Sequence, residues 1–437
     1  MALLLEKNEV DDLLFRSLMW CNADVTLLRV ENLAETQISY NSQGVLEHRV
    51  IQNTQLTIIS RFNDREGVAV ANQLDDDSIK RAVKESEMTA KSVMAKKSVQ
   101  AWPRKIKELS TVETFDAMLK AMTLDDFAQI IRKHQELLRT RYQFIGKWVL
   151  RKYQVALQST QGLSAFHQST EYDFSINVES RVTGSQGYAA RSGFQRDFDN
   201  FINEVDTAKR RADLPSRASL PSLKNATVIL TPEAWRDLFA SILEHFDGEF
   251  LSIHHLMGRT PALAGQRFDR RVSIFSQPNQ ASLPVRSWSF EGNDVRPMTW
   301  ISEGSVNSLL THSLQKPRED PEGWPKFNNI LMQGMEQSVE TLVSRSNRAI
   351  LIQNIQLIEQ VNTRTMQFNG CSLQGTLWIE QGKISQQLPD VRFVESPLAI
   401  LKKFDSLSQS KRVKSHNNIA MQIPGLRVNN FQLQEFI

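Results

Sequence analysis

The chain has 437 residues, 41% hydrophobic and 23% charged, with 52 Lys and Arg against 49 Asp and Glu for a net charge of +3. That apolar content excludes a disordered chain, and the length is that of two or three domains. A charge this nearly balanced excludes the strong basic excess of a dedicated nucleic-acid surface, and no run reaches the roughly 18 apolar residues of a membrane helix.

The first segment reads as helix, strands, helix. Met1 to Leu5 is apolar but stops at Glu6 and Lys7, too short for a signal-peptide core. β-rich runs occupy 43–60 (Val45, Val50, Ile51, then Leu56 to Ile59), broken at Asn53, and a short strand covers 68–71 after the turn Asn63 to Gly67. Asp77 precedes a helix over 78–95, with Ile79, Ala82, Val83, Ala90, Val93 and Met94 on one face. Basic clusters at Lys91, Lys96, Lys97, Arg104, Lys105 and Lys107, and at Lys209 to Arg211, read as solvated helix ends. Thr123 with Asp126 forms an acidic capping box for a helix whose inward stripe is Phe127, Ile130, Ile131, Leu137 and Leu138. From Tyr142 to Val178 the period is two, interrupted by Ser159 to Gly162, which predicts a long antiparallel ribbon. A helix follows with Phe194, Phe198, Phe201, Ile202, Val205 and Ala208 on one side. Residues 214–224 have the Pro and Ser content of a linker.

The second half opens with a strand, Ala226 to Leu230, and a well-signalled helix over 232–246. Thr231 is its N-cap, Pro232 its first residue, and Glu233 suits the positive dipole end. Short β runs then dominate, with helices near 335–345 and after Ser396-Pro397. The predicted fold is α+β with two domains. Residues 1–213 form an N-terminal mixed α/β-sheet domain with a long antiparallel ribbon. Residues 225–437 form a C-terminal, largely antiparallel β domain around a central helix. Strands and helices do not alternate, so a doubly wound nucleotide-binding sheet is not expected, and no phosphate-binding loop occurs.

Chemistry-bearing residues are sparse. The central helix ends in Glu244-His245-Phe246-Asp247-Gly248-Glu249, and a His or carboxylate pair four or five positions apart on one helix can share a metal. His245 with Glu249, and Glu244 with Glu249, have that spacing; a solvated, charged helix end is the simpler account and is preferred to a metal site. There is no nucleophile elbow, and neither Cys21 nor Cys371 has a neighbouring His. Two thiols cannot build a disulfide framework and fit a reducing cytosol.

Several short segments, in order and spacing, resemble the TldD/PmbA family, also called modulators of DNA gyrase. They are Gly67 to Ala71 before a helix, Ser159 to Gly162, Val228 to Ala234, Phe290-Glu291-Gly292 with Arg296, and Gln374 to Ile384. The similarity covers nearly the whole chain and is strongest to the TldE (PmbA) branch. The resemblance implies a cytoplasmic pair of related subunits forming a zinc metallopeptidase that degrades peptides. In that family the TldD subunit carries His-Glu-x-x-x-His and a distal Cys, and the TldE subunit completes the substrate chamber. Here the motif aligns with Glu244 to Glu249, so Glu stands at both His positions and His245 at the general-base position. The distal Cys position falls near Ser415-His416. Replacing imidazoles by carboxylates changes ligand charge and softness and removes the base that would activate zinc-bound water. The resemblance thus implies no catalytic residue and no metal in this chain, with zinc in a TldD-like partner. The expected assembly is a dimer with that partner or with itself, through surfaces that include Trp288 and Trp300. The alternative is an active metallohydrolase with a rearranged site of Glu244, His245, Glu249 and His416. Neither nucleic acid nor a membrane is an expected partner.

Overall fold

The computed structural model describes residues 4–95, 101–106, 112–195, 199–217, 219–220, 225–257, 261–308, 310, 327–415 and 419–435. Lys96, Lys97, Lys107, Phe198 and His416 lie outside them, as do the side chains of Glu249 and Ser252.

The N-terminal half builds one antiparallel sheet. Helix α1 (Lys7–Leu18) leads into β1 (Val25–Asn41), β2 (Gly44–Phe62) and β3 (Arg65–Ala71), followed by α2 (Asp76–Ser92), α3 (Ala117–Ala121) and α4 (Leu124–Leu138). Then come β4 (Tyr142–Ser159), β5 (Ser164–Ser180), β6 (Gln186–Gly193) and α5 (Asp199–Ala212). The order is β3-β2-β1-β4-β5-β6. The ribbon predicted from the two-residue period is β4–β5, paired from Tyr142–Ser180 to Gln158–Ser164. Thr123 and Asp126 make the predicted capping box on α4, and α4 buries Phe127, Ile131, His134 and Leu138. The core beneath the ribbon is aromatic: the rings of Trp148 and Phe201 cross edge-to-face at 4.4 Å.

Three expectations change. Asn53 does not break a strand. It pairs with Leu33 inside the continuous β2, whose first half is largely exposed and so carries no burial periodicity to read. The α2 cap is Asp75, accepting from Ser78 N at 2.9 Å, and the helix ends at Ser92, which leaves Met94 90% exposed. Phe194 lies in a bend, not a helix, ahead of the described α5 (Asp199–Ala212).

The C-terminal half contains β7 (Ala226–Leu230), α6 (Pro232–Leu243), α7 (Gly248–Leu256), β8 (Ile274–Ser276), β9 (Met298–Ser302), β10 (Ser305–Val306) and β11 (Ile330–Met332). It continues with α8 (Val339–Ser344), β12 (Arg348–Ile352), β13 (Ile355–Asn362), β14 (Gln367–Ser372), β15 (Thr376–Glu380) and β16 (Lys383–Gln387). β17 (Val391–Glu395), α9 (Pro397–Lys403), β18 (Phe404–Lys414), β19 (Ala420–Phe431) and β20 (Leu433–Glu435) complete it. One sheet runs β10-β9-β8-β11-β19-β7-β12-β15-β16 with β18 on β19, and β13-β14-β17-β20 form a second. Pairing is antiparallel except for β7 with β12 and β11 with β19. Helix α6 is central as expected: Trp235, Leu238, Phe239 and Ile242 are fully buried in the main core.

Two glycines in the segments that carry the family resemblance sit in tight quarters. A Cβ at Gly67 would lie 2.1 Å from Ser86 O, so α2 can sit directly on β3 only because this residue is glycine. Gly292, at φ +80, lies against Leu163 beside the turn at Ser159, and joins the two halves. Trp288 packs with Leu27, Val155 and Leu157 in the same junction. Trp288 is 2% exposed and Trp300 is fully buried, so neither is a free surface for a dimer contact; both are spent within the chain.

Candidate functional site

Thr231 accepts from Ala234 N at 3.3 Å and Pro232 fills the first helical position, which fixes where α6 starts. Trp235 Nε1 donates to Pro424 O at 2.8 Å and pins the helix to β19. The far end of α6 is where the predicted site residues lie. The helix stops at Leu243; Glu244–Phe246 make a single 3₁₀ turn; Asp247 is extended, with φ −94 and ψ 127. Asp247 then starts α7, its carboxylate accepting from Phe250 N at 3.0 Å. The six-residue window is therefore cut in two. Residues 244 and 245 precede the break and Glu249 follows it, so the helical spacing that would let them share a metal is not formed.

Burial separates them further. Glu244 is exposed, whereas His245 is 4% exposed, its ring 5.1 Å from that of Phe250. Desolvation, helped by neighbouring His254, pushes the His245 imidazole down to about 4, so it is neutral near pH 7. Its Nδ1 has no hydrogen-bond partner among the described residues. The expectation that His245 is a surface residue is corrected: the 3₁₀ turn rotates it into the core beside Phe246, which stacks on Trp300 at 4.9 Å.

The structure does bring the α6 end and the Ser415 segment together. A cavity of about 690 Å³ is lined by Asp237, Glu244 and Asp247 on one side and by Ser415 and Ile419 on the other. His245 is not part of its wall. Among the described residues no group of three or more His, Cys, Asp or Glu side chains is placed to hold a metal ion. The described donors are carboxylates and a hydroxyl, with none of the imidazole or thiolate ligands that zinc sites characteristically include. Cys21 and Cys371 are free thiols, and burial pushes Cys21 up to about 11.

A second feature escaped sequence reasoning. β4, β5 and β6 of the first half face β18 and the start of α6 across a charged cleft. Glu171 accepts from Arg412 at 3.1 Å and from Lys414; Glu233 pairs with Lys411 at 2.6 Å. Arg151 binds both Glu35 and Asp173. Burial alone would push Glu171 up, but Lys414 and Arg412 outweigh it and hold the carboxyl below its usual range. Nothing local in the sequence says that these residues meet.

Residues 223–435 match the family model of the PmbA/TldA metallopeptidase C-terminal domain. The chain carries a TldD/PmbA-family domain. The TldD/PmbA-type fold extends over the rest of the chain as well. The structure of TldE from Thermococcus kodakarensis superposes with a TM-score of 0.76 at 15% identity, covering 97% of this chain and 99% of that one. A protein described as a modulator of DNA gyrase from Bacteroides thetaiotaomicron gives 0.77 at 13% identity, over 99% and 100%. A similarly described protein from Thermotoga maritima gives 0.77 at 14%, over 97% and 100%. At such identities the likeness is one of fold. No curated protein sequence matches the chain. Among the described residues no helix is long and apolar enough to cross a membrane.

Proposed function

We propose that this chain is the non-catalytic, TldE-like subunit of a cytoplasmic two-subunit peptidase, and that it shapes the chamber in which a TldD-like partner's zinc site cleaves peptides. The observation that carries this reading is the break at Asp247. It removes the helical register a metal-binding motif needs, and it buries the one imidazole of the window outside the adjacent cavity. The α6-end cavity is then a wall that contacts peptide rather than a reacting centre. Its mixture of exposed carboxylate and apolar Ile355, Ile358 and Phe327 suits an extended chain with basic or apolar side chains. The full-length likeness to a TldE structure supports the choice of branch.

The test is metal analysis of the isolated chain, purified without chelator, together with its complex with a TldD-like protein from the same genome. The reading expects no stoichiometric zinc in the isolated chain and zinc-dependent peptide cleavage in the complex. One tightly bound metal per isolated chain, or cleavage by that chain alone, contradicts it.

A further inference from the structure

The outer side of β2 is only half covered. Leu56 to Phe62 pair with β3, from Leu56–Ala71 to Phe62–Arg65, whereas residues 44–55 pair with β1 alone among the described residues. That open stretch contains neither Lys nor Pro, the residues that usually blunt a sheet edge. Leu46 is 55% exposed and Val50 44%, so apolar surface flanks the edge. Glu47 and Arg49 between them are exposed and have no ion-pair partner among the described residues. The direction of the free backbone groups follows from the pairing further along. The turn Asn63-Asp64 has two residues, so Phe62 and Arg65 exchange both backbone hydrogen bonds, and the alternation carries that phase back along the strand. Pairing with β1 runs without a shift from Phe62's neighbour Arg61 to Glu47, and the first extra residue is Leu46. His48 and Val50 therefore direct N–H and C=O away from β1, into the open edge.

This edge is complementary to itself. Antiparallel pairing about a twofold axis at His48 brings Leu46 beside Val50 of a second copy and sets Glu47 opposite Arg49 of that copy, and the reverse. Those charge pairs fall at non-hydrogen-bonded positions, where facing side chains come closest. Moving the axis one residue either way keeps the backbone bonds possible but sets Glu47 against Glu47, or Arg49 against Arg49. Like charges directly opposite each other are destabilising, so the charges select one register. The space fits as well. In that register the second copy's turn, Ser42 and Gln43, comes level with Asn53 and Thr54 and stops short of Leu56, where β3 takes over the edge. We propose that the open edge of β2 joins a second copy of this chain, making one antiparallel sheet across two molecules. The inference is independent of the peptidase reading, since none of these residues lines the α6-end cavity.

The experiment is sedimentation equilibrium of the full chain from about 1 to 200 μM, a range set by the small size of an edge contact. The unmodified chain should show a reversible monomer–dimer equilibrium within it. Glu47→Arg alone, or Arg49→Glu alone, sets like charges opposite each other twice and should weaken the dimer about tenfold or more. The two exchanges combined restore opposite charges in the same register, and affinity should return to within about threefold of the unmodified chain. Val50→Pro removes an N–H that β1 does not use and should also dissociate the dimer while the fold persists. Should Val50→Pro fail to fold, the charge exchanges, all at exposed positions, still decide. A strict monomer across the range overturns the proposal. A dimer indifferent to the single exchanges overturns it too, because that dimer uses another face. If the chain is monomeric alone and the same exchanges abolish its binding to a TldD-like protein, the edge belongs to that protein and the second copy is ruled out.

Discussion

His245 shows how one side chain separates the two readings of the site. As a buried ring against Phe250, it contributes packing. His245→Ala should therefore cost roughly 1–3 kcal/mol in urea unfolding, as for other large-to-small core changes. The exposed Glu244→Gln should stay within about 0.5 kcal/mol. His134 and His167 share its electrostatic condition; burial pushes each down to about 4. For His134 the Tyr40 hydroxyl lies 2.7 Å from Nδ1 and fits the neutral ring. The unfolded chain takes up protons near pH 6.5 while these native rings do not. Stability therefore falls as pH drops from about 6.5 to about 4 and levels off below, where native and unfolded rings are both charged. Over that interval each ring contributes a loss on the order of 3 kcal/mol at most. Glu204 and Asp390, pushed up by burial, work in the opposite direction but are fewer. Urea midpoints at pH 7, 5.5 and 4.5 should decline in that order; a flat or rising series contradicts the buried-neutral assignment.

Among the elements, α4, α6 and the β4–β5 ribbon were readable because cap, stripe and turn residues lie within one short window. Thr231→Ala should cost about 1 kcal/mol, since the α6 cap loses its bond to Ala234 N. Gly67→Ala should cost more, about 2 kcal/mol or above, because the added Cβ meets backbone atoms of α2 that cannot turn aside. Thermal denaturation of the two variants ranks them, and an ordering with Thr231→Ala the worse would count against the close β3–α2 contact. The cut at Asp247 was not legible: Glu244 to Glu249 contains no Pro, and a Gly inside a helical pattern is tolerated often enough not to end it. Asp247 decides the matter by capping the next helix. Nor could β2 be read as one strand, since its exposed half is held by pairing with β1 rather than by a buried face. Strand order in the mixed sheet comes from partners as distant as Val228 and Ile350, which no local pattern records.

At the scale of the whole molecule, the halves are tied by Glu171 to Arg412 and Lys414, by Gln186 N to Gln387 Oε1 at 2.5 Å, and by Trp288 in the junction core. The charged cleft was invisible in the sequence because its members are drawn from positions 147 to 415. The sequence placed its candidate residues at the end of the central helix, but their geometry was not legible there, because one extended residue, Asp247, rearranges it. With Trp288 and Trp300 already used inside the chain, the expected dimer must use other surfaces; light scattering showing a strict monomer with and without a TldD-like protein would count against the assembly. The central claim is that this chain supplies no reacting group. Its most direct test is peptide cleavage by the reconstituted complex with Glu244→Gln and Glu249→Gln introduced here and the partner left intact. The account predicts a rate unchanged within about a factor of two or three, as for groups that take no part in proton transfer or metal binding. A loss beyond about a hundredfold with folding and assembly intact would contradict it, because that is the effect of removing a ligand or a proton carrier at the reacting centre.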